Sequence, residues 1–139
     1  MASVYDPSEN RIIFFGGEGI EGSNDLSSTL YEFSLSTLIW GKIPSKMGLV
    51  PPGLYDVFMY LRNSDRKILV FGGISVKGEN NAIYSFDLVQ ELWDIEKTQG
   101  DKMAPTIRPS MVQFIHNEVN YIAVYGGSTR KAQTDLFYL

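Results

Sequence analysis

Few residues here could do covalent or acid–base chemistry. The chain has one histidine, His116, and no cysteine. Disulfides, thiolate nucleophiles and multi-histidine metal sites are therefore excluded. His116 is of a type that serves as a general base, but no Ser or Cys nucleophile in a known motif stands near it. It opens the polar stretch His116-Asn117-Glu118-Val119-Asn120, which reads as a solvated turn. Gly17-Glu18-Gly19-Ile20-Glu21-Gly22 has the spacing of a dinucleotide-binding turn. That chemistry requires a helix directly afterwards, with its N-terminus against the pyrophosphate. The next residues, Ser23-Asn24-Asp25-Leu26-Ser27-Ser28, have no helical face, and the two glutamates inside the loop would repel a phosphate. The stretch from Glu18 to Asp25 and the run Glu79-Asn80-Asn81 offer oxygen ligands of the kind Ca²⁺ takes, but neither has EF-hand spacing. No catalytic residue, cofactor-binding residue or metal ligand is expected.

Composition narrows the partners. The 139 residues are 44% hydrophobic, 20% charged and 13% aromatic, with a net charge of -4. Aromatics and 13 glycines favour strands and tight turns over helices. The 12 basic residues are scattered among 16 acidic ones, whereas phosphate-directed nucleic-acid binding needs clustered Lys and Arg. No apolar run approaches the roughly 18 residues that cross a membrane. The first residues, Met1-Ala2-Ser3-Val4-Tyr5-Asp6-Pro7, have neither the basic region nor the apolar core of a secretory signal. The expectation is a cytoplasmic protein that binds neither nucleic acid nor membrane, unless a longer parent chain carries a signal.

The elements that position these residues come as a repeat. Lys67-Ile68-Leu69-Val70-Phe71-Gly72-Gly73 is an apolar run closed by two glycines. Arg11-Ile12-Ile13-Phe14-Phe15-Gly16-Gly17 and Tyr121-Ile122-Ala123-Val124-Tyr125-Gly126-Gly127 are its other copies. A recurrence at about 55 residues is the mark of a repeat architecture. Each copy reads as four short strands. The first is apolar and meets a polar turn, as Val57-Phe58-Met59-Tyr60-Leu61 meets Arg62-Asn63-Ser64-Asp65-Arg66. The second is the Gly-Gly strand, whose contiguous apolar residues predict burial of both faces. Its glycines supply positive φ at the exit and let a neighbouring backbone come close.

The third strand alternates: Tyr31, Phe33 and Leu35 share one face, as do Tyr84, Phe86 and Leu88. The fourth carries Trp40 or Trp93, and the third repeat stops before one. All six prolines fall in the first turn or in the links between repeats, which agrees with the strand assignment. The fold class is all-β: four-stranded antiparallel blades packed face to face, a β-propeller that is incomplete in this chain. Blade one covers 1–44, blade two 51–97 and a partial blade three 105–139.

These residues resemble the Kelch repeat. The match comprises the Gly-Gly strand, a variable loop, then Tyr31 or Tyr84 (Phe137 in the third copy), then Trp40 or Trp93. Pro105-Thr106-Ile107-Arg108-Pro109-Ser110 is similar to the segment that often opens a Kelch blade. Pro51-Pro52-Gly53-Leu54 holds the same place without the arginine. The resemblance implies a propeller, typically of five to seven blades, that binds a protein or peptide partner. It also includes a copper-radical oxidase type, which needs a cysteine and two histidine ligands that this sequence does not have. Many family members carry a BTB domain, and nothing here matches one.

Two and a half blades leave end faces open. The expectation is that further blades come from a longer parent chain, from copies of this one or from another chain. With strands alternating in direction, the loops after Gly-Gly share a rim with the links between blades. The expected partner-binding residues lie on that rim: Glu18, Glu21 and Asp25 in blade one, Lys77, Glu79 and Asn80 in blade two, and Arg130 and Lys131 in blade three, with Tyr55 and Arg108 near the links. The regular place of the tyrosines and tryptophans marks them as packing residues instead. The expected role is an adaptor or scaffold without enzymatic activity. An active site at the axis of a complete propeller, or a structural place in a large assembly, are the other readings.

Overall fold

The structure is a computed structural model describing residues 1–19, 25–97, 107, 108, 110–127 and 134–138; residues 113, 120 and 134–138 are described by backbone alone. Its described elements are all strands. Blade one contains β1 (Ala2–Asp6), β2 (Arg11–Phe15), β3 (Leu30–Ser34) and β4 (Trp40–Lys42), paired in that order. Blade two contains β5 (Tyr55–Arg62), β6 (Lys67–Ser75), β7 (Gly78–Glu79), β8 (Ile83–Asp87) and β9 (Leu92–Ile95). Its order is β5-β6-β8-β9, with β7 paired to the end of β6. Blade three contains β10 (Ser110–His116), β11 (Val119–Tyr125) and β12 (Thr134–Tyr138). All pairings are antiparallel.

The blades stack with the same face forward each time. Strand alternation puts Ile68 and Val70 on one face of β6, and Leu69 and Phe71 on the other. The Ile68 face of blade two, with Met59, Leu61, Phe86 and Trp93, packs on Ile13, Phe15, Leu30 and Ile43 of blade one. One step on, Ile122 and Val124 of blade three pack with Phe71, Phe58 and Ile83 of blade two. β1 and β5 run close together, so the first two blades converge at their first strands.

Several sequence expectations are corrected. Burial of both faces holds for β6, where Ile68, Leu69, Val70 and Phe71 are all buried. In β2 only Ile13 and Phe15 are buried, because no blade covers the Ile12–Phe14 side. In the third repeat Phe137 pairs with Ile122, as Phe33 pairs with Ile12 and Phe86 with Ile68. Phe137 therefore corresponds to Phe33 and Phe86. The tyrosine position is taken by Asp135, opposite Val124. The repeat position of Trp40 predicts a packing residue like Trp93, but Trp40 is 60% exposed against 2% for Trp93. Its face is the forward face of the first blade.

In blade two the strand also does not end at its glycines. β6 continues to Ser75, and Tyr55, expected near the link, pairs with Ile74 as the first residue of β5. Asp56 and Gly73 both take positive φ (55° and 81°), which kinks the pair without breaking it.

The glycine pairs take positive φ in all three repeats, and in blades one and two a neighbouring backbone comes close as expected. A Cβ on Gly16 would run into the Leu54 carbonyl, and one on Gly73 would stand 2.6 Å from the Tyr55 carbonyl. At Gly126 a Cβ would meet open space, although φ is +68°. Gly73→Ala should therefore cost about 2–4 kcal/mol, backbone strain plus overpacking. Gly126→Ala should cost about 1 kcal/mol, from conformation alone. Urea denaturation of the two variants checks the contrast.

Candidate functional site

The Gly-Gly rim is built by two blades and the link between them. In blade one the chain leaves β2, and the Gly17 amide donates to the Leu54 carbonyl at 2.8 Å. Glu18 bridges to Leu26, the Gly19 amide donates to Asp25, and the Ser27 amide donates back to Gly17. The loop is thereby tied to the link that enters blade two. Gly53 sits so close to Leu26 that its Cβ would overlap the Leu26 carbonyl. In blade two, β6 and β7 form a hairpin whose tip carries Val76 and Lys77. A shallow groove of about 190 Å³ lies between these loops, lined by Glu18, Leu26, Tyr55, Ser75 and Val76.

The expected site residues divide into three groups. Glu18 and Tyr55 come together in that groove, with Lys77 and Glu79 exposed on the adjoining hairpin and Asp25 exposed on the blade-one loop. Asn80 is committed internally, and Arg108 is 75% exposed but held in an ion pair. The Asn80 amide donates to the Gly72 and Ala82 carbonyls, and its oxygen accepts from the Ala82 amide, so it holds the hairpin base. The Arg108 Nε donates to Asp56 at 2.7 Å. Glu21, Arg130 and Lys131 lie outside the described residues.

What decides the family is the coincidence of the Gly-Gly strand, the four-strand antiparallel order and the tryptophan strand in one register across blades one and two, with the Gly-Gly strand again in blade three. The whole chain, residues 1–139, matches the model of the KLHDC2/KLHL20/DRC7 Kelch-repeats domain. The chain belongs to the Kelch-repeat family. No curated protein matches it. Kelch repeats are commonly protein-interaction modules.

The opposite rim of these Kelch blades carries an ionic clamp that sequence reasoning missed. Asp6, at the end of β1, is fully buried. It accepts two hydrogen bonds from the Arg66 guanidinium of blade two, at 2.7 and 2.8 Å, and one from Arg11 Nε at 3.1 Å. Arg11 also donates to Glu32 at 2.6 Å. The bidentate pair crosses the blade-one/blade-two interface. Arg66, ahead of Arg11, holds the Asp6 carboxyl below its ordinary value of 3.8, although burial pushes it up. The available signal was charge at matching turn positions: Asp6 and Arg11 flank the first turn, as Arg62 and Lys67 flank the second.

The second turn has its own fork. Arg62 donates to Asp65 at 2.8 Å through two nitrogens and to Glu96 at 3.0 Å. Arg62 holds Asp65 below its ordinary value. Asp65 is 40% exposed, so solvent screens the pair, and Asp65→Asn should change stability by less than about 1 kcal/mol. Thermal unfolding at neutral pH checks this.

Proposed function

We propose that this chain is a non-enzymatic protein-binding module that holds a peptide or protein partner across its Gly-Gly rim, in an adaptor or scaffold role. The observation that carries the reading is the groove at Glu18, Leu26, Tyr55, Ser75 and Val76. It joins loops of two blades over a backbone fixed by cross-loop hydrogen bonds. Irregular loops on a rigid scaffold are where binding side chains concentrate. The groove offers an aromatic face, two aliphatic side chains and a carboxylate, with Lys77 and Glu79 beside it. That mixture suits a short segment bearing an apolar anchor and flanking charges. The partner-binding residues proposed are Glu18, Tyr55, Lys77 and Glu79, with Asp25 on the blade-one loop and Arg108 beside the link; Glu21, Arg130 and Lys131, outside the described residues, are proposed with them from the sequence, and Asn80 serves by fastening the hairpin.

The test is a peptide selected from a random display library on the intact chain, with its affinity measured by calorimetry. Combined alanine substitution of Glu18, Tyr55 and Lys77 should weaken binding at least tenfold. Alanine at Glu9 and Ser64, on the opposite rim, should leave it within twofold. Equal affinity for the rim variant, or a loss in the opposite-rim variant, would overturn the assignment.

A further inference from the structure

The turn between β1 and β2 places a serine hydroxyl on the ionic clamp. Ser8 is exposed, as are Pro7, Glu9 and Asn10 around it. Its amide donates to Asp6 Oδ1 at 3.1 Å, which holds the turn against the clamp. Its Oγ accepts from Arg66 Nη1 at 3.1 Å, and the same nitrogen donates to Asp6 Oδ1 at 2.7 Å. One arginine nitrogen is thus shared between a buried carboxylate and a hydroxyl in water. Blade two offers a comparison within the chain. The pairs Asp6–Arg11 and Arg62–Lys67 close equivalent turns, so Ser64 stands where Ser8 does. Asn10 and Arg66 also match, with φ of 48° and 57°. Ser64 is exposed too, but among the described residues no arginine donates to its hydroxyl.

The clamp has no positive charge to spare. Asp6 and Glu32 bond Arg11 and Arg66 directly, and Glu9 adds its field to both arginines. Arg11 is divided between Asp6 and Glu32, so Arg66 is the guanidinium that Asp6 does not share with a second carboxylate. A phosphoserine carries a charge of about -1.5 to -2 at neutral pH and three acceptor oxygens. Attached at the Ser8 Oγ, those oxygens stand within reach of Arg66, which is 24% exposed and free to turn outward. Arg–phosphate pairs are bidentate in the same way as the existing Arg66–Asp6 pair.

We propose that Ser8 is a phosphorylation site, and that its phosphate takes Arg66 from Asp6 and so releases the clamp between blades one and two. The donor is ATP bound to a protein serine kinase. The Ser8 Oγ attacks the γ-phosphorus, the O–P bond forms as the bond to the bridging oxygen breaks, ADP leaves, and the hydroxyl proton passes to the kinase's base. Asp6 is then left buried with half of Arg11, beside a second anion that repels it.

The test places phosphoserine at position 8 or position 64 of the intact chain by genetic encoding. At position 8 it should lower the Tm by about 5 °C, and at position 64 it should move the Tm by less than about 1 °C. In Asp6→Asn the effect should change sign. With no carboxylate to displace, the phosphate at position 8 becomes the partner of Arg66 and raises the Tm. The phosphorus resonance, followed by NMR, supplies a reading in the chain with Asp6 intact. At position 8 it should titrate below the ordinary value of about 6, and return to that value in Arg66→Gln. The unmodified chain, incubated with ATP and a panel of serine kinases, should show phosphate on Ser8 by mass spectrometry. A Tm unchanged or raised by phosphoserine at position 8 would overturn the proposal. So would an equal loss in Asp6→Asn, the same phosphorus titration at both positions, or a Ser8 that every kinase leaves untouched.

Discussion

Replacing Trp93 with alanine is expected to cost about 3–5 kcal/mol, whereas the same change at Trp40 should cost about 1 kcal/mol. The two residues share a position in the repeat, and their neighbours within the blade are equivalent. Trp93 lies 5.0 Å from Phe86, as Trp40 lies 5.1 Å from Phe33. The difference lies across the blade interface. Trp93 also meets Phe15 of blade one at 5.4 Å, and the carbonyl of Trp93 accepts the Leu49 amide of the link. Deleting its side chain opens a cavity among Phe15, Phe86 and Ile43, walls that belong to two sheets and cannot collapse together. Deleting Trp40 removes two tilted aromatic contacts from a surface that is already wet. Urea denaturation followed by circular dichroism reads both values. Equal losses would mean that the blades do not pack forward face on rear face. Against a total stability of about 5–15 kcal/mol for a domain of this size, the Trp93 loss is large enough to leave a substantial unfolded population.

The second large effect is expected at Asp6. Asp6→Asn keeps the shape of the side chain and removes the charge that faces Arg66 and Arg11. Removing one partner of a buried pair costs about 3–5 kcal/mol in a dry site. Arg66 is 24% exposed and Arg11 14%, so water recovers part of that, and about 2–3 kcal/mol is expected at neutral pH. The loss should depend on pH in one direction. Arg66 and Arg11 hold Asp6 below its ordinary value, so in acid the unfolded chain binds this proton first. The contribution is complete above the unfolded value of about 3.9 and declines as pH falls through the lower folded value. The stability gap between wild type and Asp6→Asn should therefore stay constant above about pH 5 and narrow below about pH 4. A gap that widened in acid would show that Asp6 is not held as a paired carboxylate.

The repeat, the strand order and the direction of the rims were legible because they rest on period and on glycine. Gly16, Gly72 and Gly126 open equivalent pairs, and each takes positive φ. The burial of Ile68, Leu69, Val70 and Phe71 on both faces was legible as an unbroken apolar run. Three things were not. The exposure of Trp40 depends on which sheet faces another blade covers, and no local pattern around Trp40 records that. The position of Phe137 depends on register across β11 and β12, which the variable loop before it obscures. The Asp6–Arg66 clamp joins residues 60 positions apart, and a charge at a turn carries no sign of its partner.

The candidate site was legible in part. Glu18 and Tyr55 fall in the groove because loop and link share a rim by topology. Asn80 is polar, but local geometry commits it to Gly72 and Ala82, and Arg108 pairs with Asp56 across 52 residues while remaining 75% exposed. Polarity on a loop does not distinguish a side chain that faces a partner from one that fastens the loop. Such fastening still matters for the rim, because it fixes the backbone on which the exposed side chains stand.

The most direct test of the functional account is an amide chemical-shift map of the isotope-labelled chain, titrated with the library-selected peptide. The account predicts shifts concentrated at Gly17, Glu18, Leu26 and Tyr55 and across residues 75–80, with the turns at 6–11 and 62–67 unmoved. Shifts centred on those turns, or on the open sheet faces around Trp40 and Tyr125 with the rim silent, would contradict it.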